Sequence, residues 1–409
     1  MKLTNRSIFL YFSFSIFLSC SDSKKNANTE TNPRKGSYAY DAEFLKQHTK
    51  KVIELVSSDS TSKILLSADY QGRVMTSTAD GDSGISFGWL NYALIGSGEK
   101  KKNFNPVGGE ERFWLGPEGG QYSLYFKAGD SFNISAWQVP PLIDTVMYDV
   151  VEAKTSEVLF TKTYSIVNYS GNAFELNIQR RIRMVDKKSV EQILQATIPG
   201  NIKFVGYETV NSLQNIGKND WTRQTGLLSI WLLGMFTPTP QTTVIIPFHP
   251  DTNARTYITD NYFGAIPATR LQVTDSVLFF VCDGNYRSKI GISPAIAKPI
   301  AASYDFQNNV LTVVIPETHK NAPYVNSKWE LQKEPYKGDV INSYNDGPLE
   351  DGTQMGPFYE IESSSPALEL KAGQTGTYRQ VTCHLQGDYA TLRLLVKSLL
   401  GADLDSIKK

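Results

Sequence analysis

After residue 18 the sequence lacks any apolar run long enough to cross a membrane, which takes about 20 consecutive apolar residues. It also has little histidine. The four histidines, at positions 48, 249, 319 and 384, show no HxH or HExxH spacing, so neither a zinc site nor any other cofactor is predicted. Charge of one sign is lacking too. Lys+Arg and Asp+Glu both number 41, which leaves no basic surplus for binding nucleic acid.

Motifs of common catalytic classes are missing as well. The sequence contains no nucleophile elbow, no P-loop and no dinucleotide fingerprint. Cysteine is scarce, with three in 409 residues. Cys282 and Cys383 lie in apolar, strand-like surroundings, which predicts buried free thiols; a disulfide between them is the alternative.

The N-terminus is typical of an exported bacterial lipoprotein. Lys2 and Arg6 precede a short apolar run at 8–18, the pattern of a signal peptide over residues 1–19. The run ends at Leu-Ser-Cys20, which resembles a lipobox, so Cys20 is predicted to carry a lipid. An ordinary signal peptide followed by a chance cysteine is the alternative.

Residues 20–38 are rich in Ser, Asn, Thr and Lys and have nothing large enough to form a core. Such a segment is predicted to be a flexible tether. The expected protein is therefore a single domain at 39–409, held to the cell envelope, on its periplasmic or outer-membrane face, by the lipid alone.

The remaining pattern favours a mostly β protein. A helix is predicted at 40–57 and another at 387–401, where Gly401 is placed to end it. Between them, apolar or alternating runs separated by Gly, Asn and Asp predict strands. These runs lie at 64–67, 122–126, 158–167, 174–185, 203–211, 227–233, 243–247, 276–282, 310–315, 367–370 and 378–386. Many strands and few helices indicate a β-sandwich.

Three strings combine polar and aromatic residues with glycine and proline: GGEERFWLGPEGGQYS at 108–123, NSYNDGP at 342–348 and GPFYEIESSSPALEL at 356–370. With these strings the chain resembles an uncharacterised family of exported bacterial proteins in the galactose mutarotase-like superfamily. The resemblance covers about residues 40–401. It implies a β-supersandwich of two large antiparallel sheets whose concave face is open to carbohydrate.

The resemblance also implies candidate acid–base residues. Aldose 1-epimerases of this superfamily use a glutamate base near the C-terminus and a histidine acid, which open the sugar ring by proton transfer. Glu360 or Glu362 matches the base, and His249 is the candidate acid. The two glutamates are two apart on a strand and should share a face. The epimerases' Asn-Arg and His-Pro-Tyr-Phe patterns are lacking, so the activity stays open.

Sugar recognition needs stacking surfaces together with hydrogen-bonding groups. Residues of these two kinds are the predicted contacts of a saccharide ligand. They are Arg112, Trp114, Glu118, Trp231, Arg287, Lys289, Trp329, Tyr344, Asn345 and Asp346.

Structural readings of the same residues stay open. The glycines and prolines at 108–120 and the string at 342–347 are also what tight turns require. Arg112 could pair with Glu118 or Glu110, and Arg287 and Lys289 could pair with the glutamates across a sheet. His249 could be a surface histidine.

Two classes of function follow. The first is a monomeric carbohydrate-active protein with epimerase- or lyase-like chemistry, in which Arg112, Arg287 or Lys289 stabilises negative charge. The second is a non-catalytic component of a surface glycan-uptake system. Calcium bound by Asp346, Glu360 and Glu362 is a further possibility on charge alone.

Overall fold

The computed structural model describes residues 33–408, and the predicted signal peptide, Cys20 and most of the tether lie outside them. The five helices described are α1 Tyr38–His48, α2 Tyr92–Ser97, α3 Pro141–Asp144, α4 Lys187–Leu194 and α5 Tyr389–Leu400. No helix among these residues is both long and apolar enough to cross a bilayer.

Nineteen strands make up most of the described chain. They are β1 Val52–Val56, β2 Lys63–Ser67, β3 Arg73–Thr78, β4 Arg112–Gly116, β5 Asp149–Ala153, β6 Glu157–Val167, β7 Ala173–Met184, β8 Lys203–Asn215, β9 Ser229–Phe236, β10 Thr242–Pro247, β11 Ile258–Thr259, β12 Leu271–Val273, β13 Val277–Val281, β14 Ser288–Ile292, β15 Ala301–Asp305, β16 Val310–Pro316, β17 Ile341–Asn345, β18 Tyr359–Ser364 and β19 Thr375–Gln386.

The strands form two large antiparallel sheets and a small one. The ten-stranded sheet has the order β12-β13-β10-β15-β16-β19-β8-β7-β6-β5, and the six-stranded sheet has the order β11-β14-β17-β18-β9-β4. A three-stranded sheet, β1-β2-β3, completes the set. The prediction of a mostly β protein with large antiparallel sheets and a helix near each end of the domain is confirmed.

The two large sheets pack face to face because alternate residues of their strands are apolar. In the six-stranded sheet, Phe113, Ile290 and Ile361 are buried. Ile290 and Ile361 pack with Val244 and Phe280 of the ten-stranded sheet. Since side chains alternate along a strand, the neighbours of these residues must point to the other face of the six-stranded sheet. This second, outer face carries the candidate site.

Most predicted strands are confirmed, but two are wrong. Residues 122–126 form turns, because the Ser123 hydroxyl bonds the Glu118 carbonyl and the Tyr125 amide, and the Tyr125 hydroxyl donates to the Leu115 carbonyl at 2.8 Å. Residues 367–370 contribute only a single bridge, between Leu228 and Leu368.

The predicted helix at 40–57 is only half right. Helix α1 ends at His48, and strand β1 follows within the same predicted segment. Val52, Ile53 and Val56 are β-branched and therefore suit the strand better than a helix. The C-terminal helix α5 is confirmed, with Asp388 capping its first turn and Gly401 in the left-handed conformation at its end, φ +67°.

The two remaining cysteines are free and buried, as predicted. Cys383 lies in β19 and Cys282 directly follows β13. Burial raises the pKa of both thiols, that of Cys383 to about 12, so neither is a reactive thiolate at neutral pH.

Candidate acid–base site

Three strands of the six-stranded sheet place charged side chains on its outer face. Arg112 comes from β4, Glu360 and Glu362 from β18, and Lys289 from β14. The register brings them together, since Arg112 and Glu362 both pair with Leu233 of β9. Glu360 and Glu362 therefore share one face, as their spacing predicts.

Two ion pairs organise these groups. The Arg112 guanidinium binds the Glu360 carboxylate, and both side chains are buried. The Lys289 ammonium lies 2.9 Å from Glu362 Oε2, to which the Trp231 indole also donates at 3.0 Å. Glu362 is fully buried, and Oε1 of this carboxylate has no hydrogen-bond partner among residues 33–408.

Glu118 is the third carboxyl group, and it enters from the loop that follows β4. It interacts electrostatically with Lys289 and Glu362, and the indole groups of Trp137 and Trp329 lie close enough to lower the pKa of its carboxyl group. We call Arg112, Glu118, Lys289, Glu360 and Glu362 the acid–base cluster.

Burial dominates the pKa values in the cluster. It raises the pKa of Glu360 above its ordinary 4.5, because the opposing effect of Arg112 is smaller and Glu362 adds to the rise. Burial likewise raises the pKa of Glu118 against the effect of Lys289. Burial lowers the pKa of Lys289, but the charges of Glu362 and Glu118 outweigh it, so this pKa is raised.

The charge count explains these directions. Three carboxyl groups face two cations, so full ionisation would leave one unpaired negative charge in a mostly buried site. An unpaired buried charge is costly, and a carboxyl group takes up a proton instead. The raised pKa values of Glu118 and Glu360 favour a proton on one of these two carboxyl groups, which is the condition for a carboxyl to act as an acid.

Aromatic rings surround the cluster. Trp114 and Trp231 meet edge to face, with ring centroids 5.6 Å apart. Above them, Trp137 and Trp329 from two separate loops stack at 5.9 Å. The Lys289 ammonium lies 5.0 Å from the Trp231 ring centroid and 5.7 Å from that of Tyr262.

Access to the cluster is limited to one side. Glu118, Trp137, Trp329 and Tyr262 are partly exposed, and Lys289 keeps 13% of its side chain exposed. Arg112, Glu360 and Glu362 lie beneath them. A ligand arriving from solvent would therefore meet Glu118 and Lys289 first, between two half-buried indole rings.

Other predicted contacts lie beside the cluster rather than in it. Tyr344 of β17 stands between Lys289 and Glu360 in the sheet register, and its hydroxyl donates to Asp346 at 2.9 Å. Arg287 stacks on the Phe263 ring, 3.7 Å from its centroid.

Asn345 and Asp346, which were predicted as ligand contacts, bond the backbone of neighbouring loops in the structure. The buried Asn345 amide accepts from the Gly284 N–H and donates to the Tyr286 carbonyl. Asp346 accepts from the Gly356 N–H and so closes the loop at 347–356. Among residues 33–408, no group of three or more His, Cys, Asp or Glu side chains is arranged to hold a metal ion.

His249 is not brought to the cluster, which corrects its assignment as the acid. It follows β10 of the ten-stranded sheet, is exposed, and donates its backbone N–H to the Ile296 carbonyl at 2.8 Å. The alternation of the chain turns the neighbouring Phe248 into the core instead.

Three further neighbours of the cluster were not predicted from the sequence. Trp137, Tyr262 and Asp339 come from irregular segments, where no alternation indicates a direction. The Tyr262 hydroxyl donates to Asp339 at 2.6 Å, and burial raises the pKa of Asp339.

A model for a family of unknown function, DUF6786, matches residues 36–409. The chain belongs to this family.

Among solved structures, a galactose mutarotase-like protein from Lactobacillus casei is 11% identical, with 82% of this chain and 100% of that chain covered and a TM-score of 0.47. A galactose mutarotase related enzyme from Lactobacillus acidophilus is 9% identical, with 83% and 99% covered and a TM-score of 0.44. No curated protein matches the sequence significantly.

Proposed function

We propose that this protein binds a saccharide against the acid–base cluster and transfers protons to and from it, as epimerases and lyases do. The observation that carries the proposal is the meeting of three glutamates and two cations beneath indole rings. Stacking surfaces and bidentate hydrogen-bonding groups are what a pyranose ring requires. The resemblance of the three sequence strings to the mutarotase-like superfamily supports the same reading.

The burial of each group suggests its role. Glu118 is partly exposed and has a raised pKa, so it is the general acid. Glu362, whose Oε1 has no partner among the described residues, is the general base. Lys289 interacts with both and stabilises negative charge that develops on the sugar oxygen. Arg112 and Glu360 form a buried ion pair beneath Glu118 and Lys289, and this pair contributes to the electrostatic environment of the other three residues.

The first test is saccharide binding and turnover in paired variants. Purified protein is titrated calorimetrically with neutral sugars, uronic acids and amino sugars, and each bound sugar is followed by NMR for proton exchange or isomerisation. Glu118→Gln and Glu362→Gln are expected to lower turnover about 10²–10⁴-fold, the usual contribution of an acid or base. Glu208→Gln is the matched control, since Glu208 is a buried glutamate paired with Arg183 and Arg379 on the ten-stranded sheet.

The outcomes separate the two classes of function. Turnover that falls in the two cluster variants but not in Glu208→Gln supports the enzyme. Binding without turnover in the wild-type protein supports the non-catalytic component of a glycan-uptake system. A wild-type protein that binds none of the sugars refutes both.

We also propose that Cys20 carries a lipid that anchors the protein to the cell envelope. The support is the signal-peptide pattern at 1–19 and the Leu-Ser-Cys ending. Cells fed radiolabelled palmitate are expected to label the wild-type protein and not Cys20→Ser. Cys383→Ser serves as the control, and equal labelling of all three proteins would contradict the anchor.

A further inference from the structure

A separate cavity lies between the two large sheets. Its volume is about 480 Å³, within the range of roughly 300–1,000 Å³ usual for small-molecule sites. It is lined by the segment at 34–41, the loop at 85–92 and residues of β9, β16 and β18. None of the five residues of the acid–base cluster lines it.

Aromatic rings form much of the cavity wall. Phe87, Trp89, Tyr92, Phe236 and Tyr359 all line it. The rings of Phe236 and Tyr359 have centroids 5.5 Å apart. Such flat apolar surfaces suit the face of a ring-shaped ligand.

A buried chain of hydrogen bonds reaches the cavity at Thr312. The Thr312 hydroxyl lies 2.9 Å from Nδ1 of His384, and Nε2 of His384 lies 3.1 Å from Glu110 Oε2. His384 and Glu110 have no exposed side-chain surface, and Phe87 stacks on the imidazole at 4.2 Å. Thr312 lines the cavity, whereas His384 and Glu110 do not.

The hydrogen bonds from Glu110 through His384 determine how the Thr312 hydroxyl is oriented. The Thr312 hydroxyl is bonded on its inner side to Nδ1 of His384, whose ring is in turn fixed by Glu110. This bond holds the hydroxyl in one orientation at the cavity wall, where it is available to a ligand hydroxyl.

The charged side chains that line the cavity are two cations and two anions, so the cavity favours neither an anionic nor a cationic ligand. Arg34 and Lys35 balance Asp41 and Asp305. The Asp41 carboxylate already accepts from the hydroxyls of Ser86 and Tyr92. Asp305 is likewise occupied, by Thr239 and Asn308.

We infer that this cavity is a second ligand site, which takes an uncharged ring-shaped molecule with hydroxyl groups, the class of neutral monosaccharides. Thr312 is its positioning hydroxyl, held in one orientation by His384 and Glu110. The inference stands independently of the proposed function at the acid–base cluster.

The test compares two substitutions of Thr312 that differ in whether the hydroxyl group is kept. Thr312→Val keeps the β-branched shape and removes the hydroxyl, while Thr312→Ser keeps the hydroxyl. Calorimetric titration with glucose, galactose, mannose and N-acetylglucosamine is expected to show at least about fivefold weaker binding in Thr312→Val, because a ligand hydroxyl is left unpaired. Thr312→Ser is expected to restore the affinity, and Glu208→Gln, which lies outside both the cavity and the acid–base cluster, is expected to leave it unchanged.

Several results would overturn the second site. They are equal affinity of Thr312→Val and the wild-type protein, no binding of any of the four sugars, and binding that weakens only in Glu118→Gln. The last would leave the proposed function intact. If Thr312→Val does not fold, the same sugars are followed by fluorescence. Quenching that is lost in Trp89→Phe then supports the cavity, and quenching that persists unchanged refutes it.

Discussion

Arg180→Met is expected to lower the free energy of unfolding by about 3–5 kcal/mol, the usual cost of removing one partner of a buried ion pair. Arg180 is fully buried between the sheets, where it binds Glu111 at 2.8 Å, Asn211 at 2.8 Å and the Gly72 carbonyl at 3.0 Å. Without it, Glu111 would be left as a buried carboxyl with no cation. Urea-induced unfolding followed by tryptophan fluorescence measures the loss.

The adjacent residue provides the control. Arg181 has 39% of its side chain exposed and pairs with Glu157 at the surface of the same strand. Such exposed pairs contribute less than about 1 kcal/mol, so Arg181→Met should unfold nearly as the wild-type protein does. Equal losses in both variants would mean that Glu111 does not depend on Arg180.

Gly108→Ala is expected to lower the free energy of unfolding by about 2–6 kcal/mol. Gly108 has φ +97°, and a Cβ there would lie 1.9 Å from the Trp89 carbonyl oxygen. Strained backbone costs about 1–3 kcal/mol, and overpacking adds about 1–3 kcal/mol. Thermal and urea unfolding measure the difference from the wild-type protein.

Gly129→Ala separates the two causes. Gly129 has a similar φ, +85°, but no atom lies within 4 Å of a Cβ placed there. Only the backbone cost of about 1–3 kcal/mol should remain. If both variants lost the same free energy, the close approach to Trp89 would be unimportant.

Gly108 lies in the string at 108–123, for which both a structural and a functional interpretation were open. Gly108 has a structural role because a Cβ there would collide with Trp89, while Arg112 and Glu118 of the same string belong to the acid–base cluster. Both interpretations therefore apply, to different residues. Composition alone could not separate them, because it does not show which neighbour each residue meets.

Strand periodicity was the most informative part of the sequence. The two-residue spacing of Glu360 and Glu362 predicted a shared face, and the structure places them so. The pairing of Lys289 with Glu362 across the sheet was among the structural alternatives. The partner of Arg112 was not predicted, because Glu360 is 248 positions away along the chain and only strand order decides which distant residues meet.

Irregular segments carried no comparable signal. Trp137 and Tyr262 reach the cluster from loops, whose course depends on packing rather than on a repeating pattern. His384 was considered only as a metal ligand, and its bonds to Glu110 and Thr312 join three distant parts of the sequence. Sequence spacing cannot indicate such a contact.

The position of β19 governs when this protein can finish folding. In the ten-stranded sheet, β19 is the strand that joins β16 and its neighbours to β8 and its neighbours. It also supplies Gln380 and His384, which bond Glu111 and Glu110. During synthesis, the two halves of the sheet must therefore wait, unjoined, until residues 375–386 have left the ribosome.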